Sequence, residues 1–410
     1  MPVRSATVRA ARTGSAPCAG ATRAARSWRQ GPRATITSTS TASTSRRPLA
    51  SAGASLDIPA EDSRPAVVAV DCNGADLGPA EVAAGASIAV GRGVRVILFG
   101  PAGQLGSLPA GVEVVDAPVS IAKSADPVGA ARATPEASIV QAARAVAEGR
   151  AQALVCAGGT GAALAAGAFN VKRARGIYRP ALAIPLPVPG HPVTLLDVGA
   201  NAEARREHLV QFAFMGAALS SVVLGVRRPR VGLLSNGEEA GRGSRLVVEA
   251  HAALLERAAG GIEALDFVGN VEGGDVVGGV ADVIVTDGFT GNIALKLMEG
   301  VSQTMLGAVR DAAMSSRRAK LGGALLRGAL GGFRREIDPE ANGGAYLLGL
   351  RSLGVVPHGR FTRVGFSEAI LRAARGARED IVGQTHRTLA EAGALKRVPL
   401  SAPGASLPEQ

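Results

Sequence analysis

Six times along this chain an apolar run of four to six residues stops at a small cluster rich in Gly, Asp and Asn. Runs that short, separated by helical patterns, read as buried strands. They end as Asp71-Cys72-Asn73-Gly74-Ala75-Asp76, Ala157-Gly158-Gly159-Thr160-Gly161, Asp197-Val198-Gly199-Ala200-Asn201, Ser235-Asn236-Gly237-Glu238-Glu239, Gly269-Asn270-Val271-Glu272-Gly273 and Asp287-Gly288-Phe289-Thr290-Gly291-Asn292. In an open parallel sheet the carboxyl ends of the strands form one rim, where ligands bind, so six such endings imply one shared site. Glycine lets the backbone approach a ligand closely, and the amides opening the next helix, at the positive end of its dipole, suit an anion. Phosphate is the first ligand these residues suggest.

Strands are expected at 67–71, 94–99, 112–115, 153–157, 181–186, 193–197, 231–234, 265–268 and 282–286. Helices are expected near 79–92, 135–148, 161–169, 207–225, 243–259 and 291–313. Strands alternating with amphipathic or small-residue helices predict an α/β fold, a three-layer α/β/α sandwich around a mostly parallel sheet. Its expected bounds are 63–392, followed by a flexible C-terminal tail over 393–410. The stretch Leu209–Val226 is uncharged for 18 residues, the lower edge of membrane-spanning length. It holds Gln211, Gly216, Ser220 and Ser221 and lies between strand patterns, so a buried helix is expected and no membrane span.

The formal charge of +11 would signal nucleic acid if it were spread over the fold. Nine of those charges are the nine Arg of residues 1–50, which hold no Asp or Glu, so the rest of the chain is nearly neutral. No nucleic-acid footprint is expected on it; binding through the basic tail would instead be strongly salt-dependent. Residues 1–62 lack periodicity and are expected to be disordered, although the Arg- and Ser-rich composition, acid-free over 1–50, also describes an organellar transit peptide. No secretory signal peptide is expected. Cys18, Cys72 and Cys156 form no CxxC pair, as in a reducing cytosol. Cys72 and Cys156 end strands and are expected to be small buried thiols rather than reactive ones.

Residues 317–335 differ from the rest. Arg317, Arg318, Lys320, Arg327, Arg334 and Arg335 surround Leu321, Leu325, Leu326, Leu330 and Phe333 with no acid among them. That pattern suits an anionic membrane surface. A solvated helix packed on its own domain or on a dimer partner would read the same, and five Gly weaken the helix.

Missing motifs narrow the chemistry. No GxGxxG follows a strand and no Gly-Lys occurs, so neither a dinucleotide nor a P-loop nucleotide is indicated. HExxH and GxSxG are absent and the five His are scattered, so neither a zinc site nor a serine hydrolase is expected. What remains is a cleft of amides, Asn and Asp with a few cations. Arg205 and Arg206 follow the Asp197–Asn201 cluster, Arg242 follows Glu238-Glu239, and Lys296 lies one turn beyond Asn292. A guanidinium clamps phosphate oxygens in bidentate fashion.

The longer stretches together resemble one family, the acyl-ACP:phosphate acyltransferases of bacterial phospholipid synthesis (the PlsX family), from about Val67 to Ala374. They are Leu195-Leu196-Asp197-Val198-Gly199-Ala200-Asn201 with Glu207-His208-Leu209-Val210-Gln211-Phe212, and Phe267-Val268-Gly269-Asn270-Val271-Glu272-Gly273. Asp287 through Lys296 to Glu299-Gly300, Ile337-Asp338-Pro339 and Gly343-Gly344-Ala345 complete them. The resemblance implies a homodimeric α/β/α enzyme related in fold to phosphotransacetylases and isopropylmalate dehydrogenases. It would be cytoplasmic, peripherally membrane-associated, and free of metal and organic cofactors. Its reaction would turn acyl-ACP and inorganic phosphate into acyl phosphate and free acyl carrier protein, and a membrane acyltransferase would then pass the acyl group to glycerol 3-phosphate.

By the same resemblance, Arg205, Lys296 and the amides of Gly158, Gly159, Thr160 and Gly161 would hold phosphate. Asn201, Asn270 and Asn292 would be polar donors at the rim, with Asp71, Asp287 or Glu239 orienting them or acting as base. Gly74 and Asn236 would complete the substrate-binding rim. His208 would be a proton carrier, or equally a cap or packing residue. Three clusters depart from the family pattern. Its Asp-Ala-Met-Gly-Gly-Asp is Asp71-Cys72-Asn73-Gly74-Ala75-Asp76 here, its Ala-Gly-Asn-Thr-Gly has Gly159 in place of Asn, and its Asn-Ile-Gly-Glu-Glu begins Ser235-Asn236, with Arg242 for a later Lys. Two alternatives stand beside this reading: a phosphotransacetylase-like enzyme using acyl-CoA, and a weakly active homologue that binds acyl groups or carrier protein.

Overall fold

Val, Leu, Ile and Ala fill nearly every position of the central strands, as a sheet covered on both faces requires. The computed structural model describes residues 65–396 except 262 and 337; the expected tail over 1–62 and residues 397–410 lie outside them. Eleven strands form one sheet: β1 (Val67–Asp71), β2 (Arg95–Gly100), β3 (Val112–Asp116), β4 (Ala153–Cys156), β5 (Ala181–Leu186) and β6 (Val193–Leu196), with β7 (Arg230–Leu234), β8 (Asp266–Val271), β9 (Val283–Val285), β10 (Ala345–Leu348) and β11 (Leu353–Val356). Their order is β3-β2-β1-β4-β11-β10-β5-β6-β9-β7-β8.

The sheet is mostly parallel, as expected, but it does not have a single rim. Three successive neighbours, β11–β10, β10–β5 and β5–β6, pair antiparallel. Three reversals leave β6, β9, β7 and β8 running against β1, β2, β3, β4 and β11. Four of the six polar clusters therefore end strands of one half and two end strands of the other. An apolar run carries no direction, which is why the strand pattern alone implied one rim. The signal was in the connection: residues 187–192 between β5 and β6 hold no helical pattern, and so short a link can only close an antiparallel hairpin.

Alternate residues of each strand feed two cores. Val68 and Val70 of β1 join one, with Leu98, Leu196, Val283, Phe212 and Phe366. Ala69 joins the other, with Ile97, Leu154, Leu195, Ile284 and Ile139. On the first face lie α1 (Pro79–Val90), α5 (Arg206–Leu224), α6 (Arg245–Ala259), α9 (Arg363–Arg378) and α10 (Ile381–Glu391). On the second lie α2 (Pro127–Ala133), α3 (Ser138–Ala147) and α4 (Thr160–Ala166). Three layers result. α5 has the length and apolarity to cross a membrane, yet Leu209 through Leu219 are buried and Gly216 lies against the side chain of Val283. It is a core helix.

Beyond residue 340, β10, β11, α9 and α10 were not expected; the two strands are four residues each and carry no long pattern. Residues 393–396, expected to open a flexible tail, are tied to the fold instead. Ala394 is buried and its carbonyl accepts from Gln211, and the Lys396 amide donates to Gly176. The fold thus runs past 392.

α7 (Gly288–Met314) and α8 (Arg317–Glu336) continue the chain after β9. The helix over 317–336 forms despite its glycines, and one of them, Gly323, permits close approach: a Cβ there would stand 3.2 Å from that of Ala313.

Gly291 in the first turn of α7 is held to a much tighter fit. A Cβ there would stand 1.9 Å from the Asp197 carbonyl oxygen and 2.9 Å from Thr286. Around Gly300, also in α7, there is open space. Gly291→Ala is expected to destabilise the protein by about 1–3 kcal/mol, and Gly300→Ala to stabilise it by about 0.5–1 kcal/mol. Urea unfolding of both variants checks the pair, and a neutral Gly291→Ala would contradict the packing.

Candidate active site

The loops after β1, β4 and β11 pack backbone against backbone. A Cβ on Gly74 would lie 1.7 Å from the Ala157 carbonyl oxygen; one on Gly158 would lie 2.7 Å from the Gly74 oxygen and 2.8 Å from Gly359. Gly158 has φ +91, a conformation that side chains resist. The Asp76 amide donates to the Gly359 carbonyl at 2.8 Å and closes the arrangement. Gly159 then caps α4, with Thr160 and Gly161 in its first turn. A side chain at Gly159, where the family pattern has an amide, would press on Ala122, whose Cβ lies 3.0 Å from the position of the added carbon.

Asp71 lies beneath this floor rather than on it. It is buried, and its carboxylate accepts from Ser138 Oγ at 2.6 Å, from the Asn73 amide at 3.2 Å and from Cys156 Sγ at 3.5 Å. Burial raises the Asp71 carboxyl above its usual range, against the pull of those hydrogen bonds. Burial also pushes both neighbouring thiols, Cys72 and Cys156, well up, and Asp71 adds to the effect. Neither cysteine is a nucleophile in this state.

On the other half, Asp197 organises the turn after β6. Its Oδ1 accepts from the amides of Leu182, Gly199 and Ala200 at 3.0, 3.2 and 3.0 Å. Its Oδ2 accepts from the Asn201 amide at 2.9 Å and Nδ2 at 2.8 Å. Asn201 Nδ2 also donates to Pro180 at 2.7 Å, and the Asn201 carbonyl accepts from Gly288 at the start of α7. Asn201 is therefore committed to the scaffold and is not a rim donor. Asn270 is committed as well: Nδ2 donates to the carbonyls of Glu239 and Arg242, and Oδ1 faces His251 Nδ1 at 3.0 Å.

Asp287 caps α7, accepting from the Thr290 amide at 2.9 Å and hydroxyl at 2.8 Å. A carboxylate so engaged is a helix cap, not a base. His208 is a cap too. Its Nδ1 accepts from the Arg205 amide at 3.2 Å while its ring lies near Tyr178 and Phe212. Burial, with Arg179 and Arg205 nearby, lowers its pKa. Glu239 is exposed and pairs with Arg242 at 3.4 Å.

The two halves meet at a residue no motif singled out. His358, on the loop between β11 and α9, is half-buried, and burial lowers its pKa. Lys296 of α7 and Arg360 lower it further, while Glu299 of α7 and Asp76 of the β1 loop oppose them. Groups from α7 and from the loops after β1 and β11 thus act on one imidazole. Its Nδ1 accepts from the Arg360 amide at 3.2 Å, so the neutral ring carries its proton on Nε2 and is a donor. Lys296 is half-exposed and bonded to Glu299 at 2.8 Å. Asn292 is exposed beside Gly199. Asn236 and Arg205 are exposed on the same half of the fold.

Lys296, with the Gly74–Gly158–Gly159 floor, is the expected side chain brought to this junction, whereas Asn292 stands apart beside Gly199. His358, Gly359 and Arg360 belong with Lys296 and the floor. The available signal was Pro357-His358-Gly359-Arg360, a polar cluster after an apolar run, like the other six. Two concave regions elsewhere contain none of these residues: one is lined by Arg95, Glu113 and Arg150, the other by Arg227, Gln384 and Glu391.

The sequence pattern of a family described as "Fatty acid synthesis protein" matches residues 66–384. A phosphate acyltransferase of Geobacillus sp. (strain WCH70) is 41% identical over 331 residues, 79% of this chain and 98% of that protein. One from Elusimicrobium minutum is 39% identical over 333 residues, 79% of this chain and 96% of that protein. Among solved structures, the EutD phosphotransacetylase from Staphylococcus aureus aligns with a TM-score of 0.50 at 18% identity, over 76% of this chain and 94% of its own. A phosphotransacetylase from Streptococcus pyogenes aligns with a TM-score of 0.52 at 15% identity, over 77% and 94%. Both show a shared fold.

Asp71 yields a pH test. With its pKa raised in the folded state, its stability contribution is complete below the unfolded value near 3.8 and is lost as pH rises through the folded value. Asp71→Asn removes that loss. The melting temperature of the variant relative to the wild type should therefore climb as pH rises above about 4; a difference that stays flat or falls contradicts a buried carboxyl whose pKa is raised.

Proposed function

This chain belongs to the fatty acid synthesis protein family, among bacterial phosphate acyltransferases, and from that membership we propose that it transfers an acyl group from acyl-ACP to inorganic phosphate. The observation that carries the chemistry is the junction at which Lys296 and Arg360 flank His358 beside a floor of closely packed glycine backbone. Cations and small residues suit a phosphate.

Phosphate oxygen attacks the thioester carbonyl and forms a tetrahedral adduct, which collapses to acyl phosphate as the carbon–sulfur bond breaks. The proton of hydrogen phosphate ends on the departing thiol, so the step balances without a protein nucleophile. Lys296 would neutralise phosphate charge. His358, a donor through Nε2, would stabilise the oxyanion or the departing sulfur. Carrying a proton away is not what this tautomer does, and the same holds for His208, whose Nδ1 is likewise occupied.

On α7, Val301, Met305, Val309 and Met314 are exposed, and on α8 Leu321, Leu325 and Leu326 are exposed beside Arg317, Arg318 and Lys320. An apolar face with flanking cations supports peripheral contact with an anionic membrane. There the acyl phosphate would pass to an acyltransferase acting on glycerol 3-phosphate. The enzyme would be cytoplasmic, and a homodimer as the resemblance implies.

The test is phosphate-dependent thiol release from palmitoyl-ACP by the full chain. Lys296→Ala should cut turnover by about ten-fold or more, the effect of losing about 1.4 kcal/mol at the transition state. His358→Ala should cut it by about a hundred-fold, and His358→Gln, which keeps a donor, by less. Unchanged turnover in either alanine variant rejects the role, and release from palmitoyl-CoA alone rejects the carrier-protein assignment.

A further inference from the structure

A second group of cations lies outside this junction and takes no part in the chemistry above. Lys172, Arg173, Arg175 and Arg179 follow α4 and are all exposed. Arg351 and Lys396, far away in sequence, are brought onto the same segment. The Arg351 amide donates to the Lys172 carbonyl at 3.0 Å, Arg173 bridges Leu350, and the Lys396 amide donates to Gly176 at 2.8 Å. Lys396 also stands 5.9 Å from the Tyr178 ring centroid. Among the described residues, none of these six cations forms an ion pair, although twelve ion pairs occur elsewhere on the fold. A cation cluster left without acids on its own chain carries a potential that favours an anionic partner.

Two features say which partner. Where α8 sets its cations beside exposed leucines, this segment exposes no large apolar side chain among the described residues, so it lacks what a lipid surface would bury. The cluster is also joined to the helix that carries Lys296. Arg179 and Arg205 both act on His208, and Pro180, next to Arg179, holds Asn201, whose carbonyl receives the first amide of α7. We propose that the surface formed by Lys172, Arg173, Arg175, Arg179, Arg351 and Lys396 is the docking site for an acidic protein that delivers the thioester. This rests on the acyltransferase reading and adds where the carrier sits and what charge it must bear.

Arg175 and Arg351 are suited to test it, since neither side chain makes a hydrogen bond or ion pair among the described residues. The Arg175→Glu/Arg351→Glu double variant and the wild-type chain are titrated with unacylated acyl carrier protein by calorimetry. They are then assayed for phosphate-dependent turnover of palmitoyl-ACP and of a palmitoyl thioester of N-acetylcysteamine. Binding of the carrier should weaken by about ten-fold or more in the variant, and KM for palmitoyl-ACP should rise alike. Turnover of the small thioester should stay at the wild-type value, and about 0.5 M salt should erase the difference between the two proteins on the carrier.

Equal carrier affinity in both proteins overturns the proposal, as does an equal loss on both thioesters. So does a variant that loses binding to anionic vesicles or to single-stranded RNA while keeping its affinity for the carrier. If the wild type binds carrier, the variant does not, and neither thioester is consumed, the docking surface stands and the acyltransferase reading falls.

Discussion

A single buried carboxylate, Asp197, sets the geometry on which one half of the site depends. Five donors from Leu182, Gly199, Ala200 and Asn201 converge on its two oxygens. Burial raises its pKa and those hydrogen bonds oppose the rise. The turn they define brings the Asn201 carbonyl to the Gly288 amide, and α7 starts so close that Gly288 and Gly291 have no space for a Cβ. Through that contact the position of Asn292 and Lys296 follows from the position of Asp197.

The other half keeps its carboxylate, Asp71, beneath the floor. Its loops are fixed by glycine: Gly74, Gly158 and Gly359 let three strand ends come together with backbone touching backbone. A side chain at Gly74 or Gly158 would separate the loops. Both halves therefore present main chain rather than side chains. The few side chains that reach the junction, Lys296, His358 and Arg360, carry the charge and the directed hydrogen bond. Such a division suits an oxyanion ligand, because amides and cations supply donors without competing acceptors.

Much of the molecule was legible beforehand. Short apolar runs and the helices between them marked the first nine strands and six of the helices, because burial on both faces dictates the composition of all but the edge strands β3 and β8. The glycine clusters and Lys296 were visible for a similar reason, since close approach and charge leave few choices of residue. Asn201, Asn270, Asp287 and His208 were also visible, but as chemistry; they prove to be scaffold. A polar side chain at a strand end satisfies a neighbour's backbone as readily as a ligand, and sequence does not distinguish the two. His358 went unread because nothing local marks an imidazole whose surroundings come from residues 62 and 282 positions away, at Lys296 and Asp76.

By itself the sequence determined the layered α/β class, the buried nature of α5 and the small-residue strand ends that suit an anion. Hydrophobic period, chain length between turns and the lack of a side chain on glycine are local properties, so a string of residues is enough to state them. Tertiary structure alone decided that the sheet reverses at β10, β5 and β6, and that α7 carries Lys296 back to the β11 loop. It also decided which Asn and Asp remain free for chemistry. Pairing direction and hydrogen-bond partners are relations between distant segments, settled only when the whole chain closes on its cores.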